Sequence, residues 1–239
     1  MRYYEHWSPE HIKVLLMIAA VMACVLSYVA LKAGDKMTTV ILRILAVSHL
    51  ILEFVQDVLL VTREDYEISW ILPLHLCNLG IFVNLIAAFS RGKARRFFSE
   101  ISVMLIMPGA LGALLFPDWN YRPIDDPVAI IIFITHTILL LIPIIFVIKG
   151  ITDIRISHIW YPLVFMLVVV PPIYMFDTKY SVNFLFLKIP VESSPLSMVH
   201  DAVGAEYYIL GLFFLLVTVL LAEYLIATVI RKLIPSRQR

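Results

Sequence analysis

Seven times along its length this chain runs through about 20 predominantly apolar residues, near 12–31, 39–61, 70–90, 97–116, 127–149, 158–176 and 207–230. A helix of that length crosses the roughly 30 Å hydrocarbon core of a bilayer, and a segment in hydrocarbon must satisfy its own backbone hydrogen bonds. The runs therefore predict an all-α, polytopic membrane helix bundle of about seven transmembrane helices, with 1–239 forming a single integral membrane domain. Composition agrees: 61% of residues are hydrophobic and 15% charged, where soluble domains carry about 25% charged. With a formal net charge of +1 and its basic residues scattered between runs, the chain has no basic field for nucleic acid. Cys24 and Cys77 both fall inside apolar runs, which argues against a disulfide framework.

Two runs are expected to kink. The fourth carries Pro108, Gly109 and Gly112, and the sixth carries Pro171 and Pro172; a membrane helix accepts such residues where neighbours or waters satisfy the freed backbone groups. The first run exceeds the 7–15 residues of a signal-peptide core and reads as a retained helix.

Positively charged loops are held on the cytoplasmic side. One alternating set of loops carries twelve basic residues (Lys32, Lys36, Arg91, Lys93, Arg95, Arg96, Lys149, Arg155, Arg231, Lys232, Arg237 and Arg239). The other carries six (Arg2, Lys13, Arg63, Arg122, Lys179 and Lys188), amid Glu64, Asp65, Glu67, Asp125 and Asp126. An outside N-terminus and a cytoplasmic C-terminus follow, which requires an odd number of crossings, and the chain is placed in the cell membrane. The bulk of the seventh run has no lysine for a Schiff base, and no internal repeat marks an inverted-repeat transporter.

Ionisable groups inside spans are costly and usually face the bundle interior. At about 1.5 Å of rise per residue, Cys77 lies roughly 10 Å, Glu53 roughly 12 Å and His136 roughly 13 Å below the outer ends of their runs. Three helices thus place a thiol, a carboxylate and an imidazole at one level. His49, Glu53 and Asp57 recur every fourth residue and share a helix face. In the third run, Cys77 shares a face with Asn84, and His75 with Asn78. On a regular helix His75 and Cys77 point about 200° apart, so both face one cavity only if Pro73 distorts the first turn. A cysteine becomes a nucleophile when a base favours its thiolate and a third group orients that base. Cys77, His136 and Glu53 or Asp57 could fill those roles. The plain alternative is that Cys77 packs as a small hydrophobe and His136 bonds across helices. Trp70, Trp119, Trp160, Tyr207 and Tyr208 fit an interfacial aromatic belt, Glu100 and Glu223 the inner boundary, and Cys24 simple packing.

The string Leu72-Pro73-Leu74-His75-Leu76-Cys77-Asn78-Leu79 resembles the signature of the YwaF-type bacterial integral membrane family, where Leu-Pro-Leu-His-Leu-Cys is commonly followed by Asp. Pro108 to Pro117, Phe133-Ile134-Thr135-His136, and Asn183-Phe184-Leu185-Phe186-Leu187 with Pro190 resemble further stretches of that family, in order. Animal relatives are described as phospholipid acyltransferases using a cysteine and a histidine. The resemblance implies catalytic roles for Cys77 and His136. His49, Glu53, Asp57, His75, Asn78 and Asn183 are read as a supporting polar cluster, with membrane phospholipids as partners and neither cofactor nor metal expected. Asn78 departs from the acidic residue usual in the family. Val203 to Tyr208 departs from its Gly-Pro-Trp-Pro-Trp-Tyr run.

Three readings follow: a lipid acyltransferase or acyl hydrolase; a small-solute or proton-coupled carrier using His49, Glu53, Asp57 and His136; and a non-catalytic membrane binding protein.

Overall fold

The computed structural model describes residues 4–63 and 71–233. Arg2, Glu64, Asp65, Glu67, Trp70, Arg237 and Arg239, named above, lie outside the described residues. Among those described, every regular element is helical. The helices are α1 (Pro9–Leu31), α2 (Asp35–Thr62), α3 (Leu76–Phe89), α4 (Gly92–Leu115), α5 (Pro127–Ile148), α6 (Trp160–Tyr180) and α7 (Pro195–Leu233). Six of them are long and apolar enough to cross a membrane; α3 is apolar but shorter. The chain is an all-helical, multi-pass membrane protein.

Local chemistry sets the helix ends. Ser8 caps α1 by accepting the amide of His11, and Pro9 supplies the fixed φ of a first helical position. Asp126 caps α5 by accepting the amide of Val128, again with Pro127 first in the helix. The third apolar run is broken at residues 72–75, where Pro73 and its neighbours form turns, and α3 starts at Leu76. In α4 the expected irregularity is a π-helical turn, Ser102–Ile106, closed by the Met107 amide donating to the Ser102 carbonyl five residues back. It ends just before Pro108, whose missing amide cannot serve the ordinary ladder. By contrast α6 continues as one helix through Pro171 and Pro172.

Contacts group the chain into two units, Met1–Ile151 and Thr152–Arg239. Within the first, α5 packs against α1, α2, α3 and α4, and most of its apolar stretch is buried there. Gly80 allows the close approach of α3 to its neighbours: a Cβ at that position would stand 2.8 Å from both Ile106 Cγ2 and Leu139 Cδ2. At one end of this unit Lys149 donates to the Ala33 carbonyl at 2.5 Å, tying the end of α5 to the α1–α2 turn.

Within the second unit, Asp177 accepts the Phe184 amide at 3.1 Å and Asn183 accepts the amides of Lys188 and Ile189, folding the 181–190 segment into a tight loop. The seventh run starts earlier than the sequence implied. Its helix begins at Pro195 and is interrupted at Gly204, whose φ of 77° lies in the region that glycine tolerates.

Candidate functional site

The first unit gathers the polar residues at the start of α3. The turn over 72–75 closes with the Leu74 amide donating to Leu72, and His75 follows with extended backbone (φ −70°, ψ 154°) as the N-cap. The first α-helical bond there is from the Leu79 amide to the His75 carbonyl, at 3.0 Å. Leu76, Cys77 and Asn78 thus form the first turn, whose amides have no carbonyl partner within the helix and which carries its partial positive charge. His75 stands outside the helix, so the 200° separation of a regular helix does not hold, and Pro73 is the cause.

From α5, His136 reaches Cys77: Nε2 lies 3.1 Å from Sγ. Its other nitrogen, Nδ1, lies 2.8 Å from the Ile132 carbonyl, one turn back on the same helix. A carbonyl only accepts, so Nδ1 carries the hydrogen, and in the neutral ring Nε2 is left as acceptor. The thiol then donates to Nε2. The imidazole is therefore held in the tautomer a general base needs, by its own backbone and not by Glu53 or Asp57.

The polar face of α2 meets the same region. Asn78, next to Cys77, donates from its side-chain amide to the Glu53 carboxylate. His49, 1% exposed, and His75 both lie within electrostatic reach of His136. Asp57, one turn beyond Glu53, interacts with that carboxylate. His49 Nδ1 and Asp57 Oδ1 are buried without a hydrogen-bond partner. Farther along α3, Asn84 accepts from the Ser102 hydroxyl of the π-helical turn at 2.6 Å. Asn183 belongs to the second unit, where its side chain bonds to its own loop. Cys24 is exposed on α1.

Several neighbours were not found from sequence. Trp119 is 2% exposed, and its ring centroid lies 5.1 Å from that of His136. Phe133 holds it edge-on from 5.3 Å. It is therefore no member of an interfacial belt, and neither is Tyr208, which is also buried, whereas Trp160 and Tyr207 are exposed. Glu100, assigned above to the inner boundary, is fully buried. The 114–120 segment that carries Trp119 is held by the N-terminal segment. His11 Nε2 donates to the Leu114 carbonyl at 2.9 Å while its Nδ1 accepts the Trp7 amide at 3.1 Å, and His6 Nε2 reaches the Pro117 carbonyl at 3.0 Å. Asp118, in this segment, lies within electrostatic reach of Cys77 and Tyr4. Burial pushes its carboxyl up to about 6 and, with the Asp118 charge, pushes the Tyr4 phenol up as well. The only trace of this in the sequence is an Asp-Trp pair in a loop, which a span-by-span reading assigns to the membrane boundary. Among the described residues, no three of His, Cys, Asp and Glu converge as a metal-binding group.

The all-helical bundle, with six helices long and apolar enough to span a bilayer, defines the class: a multi-pass membrane protein, here with a half-buried thiol–imidazole pair built across two of its helices. The model of the TMEM164 family matches residues 6–224, nearly the whole chain, and the protein belongs to that family. The chain matches no curated protein and no solved structure.

Proposed function

We propose that this protein moves acyl chains between membrane lipids through an acyl-thioester on Cys77, with hydrolysis as the outcome when water is the acceptor. The observation that carries this is the 3.1 Å contact of Cys77 Sγ with His136 Nε2, together with the Ile132 carbonyl that fixes the imidazole tautomer. His136 takes the thiol proton as Sγ bonds to the ester carbonyl carbon. The carbon–oxygen bond then breaks and His136 returns the proton to the departing alkoxide. In the second half His136 Nε2 takes the acceptor hydroxyl's proton, the acceptor oxygen attacks the thioester, and the carbon–sulfur bond breaks to restore the thiol. The substrates on this reading are membrane phospholipids, whose ester carbonyls lie near the headgroup boundary.

The YwaF-type resemblance supports the same assignment, since Leu72 to Cys77 is the stretch that forms the turn and helix start at the pair. The basic-residue asymmetry of the loops supports a cell-membrane protein with its N-terminus outside, and so a site open to the outer leaflet.

The test is labelling of the purified protein in lipid with an alkyne fatty acyl donor, followed by neutral hydroxylamine. Label that survives Cys24→Ala, disappears in Cys77→Ala and is released by hydroxylamine is the expected result. Equal labelling of all three chains overturns the cysteine mechanism.

A further inference from the structure

Acyl transfer to a thiol places a negative charge on the ester carbonyl oxygen, and a site that performs it needs donors at that oxygen. The first-turn amides of α3 offer backbone donors beside Cys77, but a helix start alone is no site. A second observation stands next to it. The indole N–H of Trp119 is buried and has no hydrogen-bond partner. Buried indole N–H groups usually find an acceptor, and a buried donor left without one is destabilising, so this one calls for an explanation.

Its surroundings supply one. The Trp119 ring lies against His136, the group that must reach both the thiol and the leaving oxygen. Phe133 fixes it from the side, and its chain neighbour Asp118 lies within electrostatic reach of Cys77. An ester attacked by Sγ and served by His136 Nε2 must sit beside that imidazole, the ring against which Trp119 lies. The segment bearing the indole is not free to drift, because His6 and His11 hold the carbonyls of Pro117 and Leu114.

We propose that the Trp119 indole N–H is a side-chain donor of an oxyanion site, completed by the first-turn amides of α3, for the tetrahedral intermediate formed at Cys77. The assignment rests on the acyl-thioester reading above. It deepens that reading by naming the bound group: a lipid carboxylic ester whose carbonyl oxygen accepts from Trp119.

The experiment compares two reactions of Cys77 in the full chain in lipid: acylation by the alkyne fatty acyl donor, which develops an oxyanion, and alkylation by iodoacetamide, which does not. In Trp119→Phe, which keeps an aromatic ring but lacks the donor, acylation should fall about 100- to 1,000-fold, as for loss of one oxyanion donor elsewhere. Alkylation should stay within about twofold of wild type, because the thiol–imidazole pair is untouched. Replacing Trp119 with 3-benzothienylalanine, which keeps the bicyclic shape and exchanges the N–H for sulfur, should give the same split even if the phenylalanine variant does not fold. Acylation at the wild-type rate in the isosteric variant, or acylation and alkylation falling together in it, overturns the oxyanion role. A wild-type chain that takes no acyl label at Cys77 overturns the acyl-thioester reading itself, and this assignment with it.

Discussion

Asn78 and Glu53 join α3 to α2 one residue away from the thiol: the Asn78 side-chain amide donates to the Glu53 carboxylate. The carboxylate at this site is thus supplied by α2, and the position after Cys77 carries its neutral partner. In Asn78→Asp two carboxylates would face each other in a poorly solvated place, where like charges repel strongly. The expected result is a loss of about 1–3 kcal/mol of stability, the scale of leaving a buried polar group without its bond, with slower acyl labelling of Cys77. Adding Glu53→Gln, so that an amide can donate to Asp at 78, should restore most of both. Thermal unfolding of the single and double variants in lipid decides it, and failure of the double variant to recover would show that the pair is not coupled.

Close packing of α3 gives a second prediction. A methyl group at Gly80 would have to displace Ile106 and Leu139, each 2.8 Å from the new Cβ, whereas one at Gly112 meets nothing within 4 Å. Gly80→Ala should therefore lower stability by about 1–3 kcal/mol through overpacking. Gly112→Ala should be neutral, or stabilising by roughly 0.5–1 kcal/mol through reduced freedom of the unfolded chain. Unfolding temperatures of the two variants measured side by side give the contrast, and equal shifts would contradict it.

Asp118 gives the fold a pH dependence of known sign. Its carboxyl stands at about 6 in the folded protein against an ordinary value of 3.8. Between those pH values the folded chain keeps a proton that the unfolded chain releases, so this residue's contribution to stability is greatest below about pH 4, falls as pH rises to about 6, and is then constant. Asp118→Asn removes the titration. The difference in unfolding temperature between variant and wild type should rise from pH 4 to 6 in favour of the variant and level off above. Parallel curves across that window would be inconsistent with a buried, titrating Asp118.

The bundle was legible because each apolar run carries its own signal, independent of what packs against it. The pairing of Cys77 with His136 was legible for a similar reason, since depth along a helix follows from residue count. Backbone partners and loops are less legible. The His75–Cys77 separation of a regular helix gives way to the distortion at Pro73 that the sequence leaves open: the helix starts at Leu76, with His75 outside it. The group orienting His136 was sought among side chains and turned out to be the Ile132 carbonyl, which no sequence pattern displays. Trp119 was assigned from its place at the end of a run, where lipid-facing aromatics are common. Its burial depends on His6 and His11, more than 100 residues distant in the chain.

The brevity of α3 sets how the protein relates to membrane thickness. Its 14 residues extend about 21 Å, some 9 Å less than a typical hydrocarbon core. If its far end sits at one boundary, its reactive end stops about one and a half turns short of the other. A thiol attached to a full-length span at that depth would have only apolar chain around it. Here the missing turns are replaced by the 72–75 segment, non-helical backbone that hydrocarbon tolerates only under cover of protein. Bilayer mismatch, usually a cost that a span evades by tilting, is thus met here by a helix that starts inside the bundle. On the acyl-thioester proposal, the acyl-chain length of the surrounding lipid then bears on how well ester and thiol are aligned.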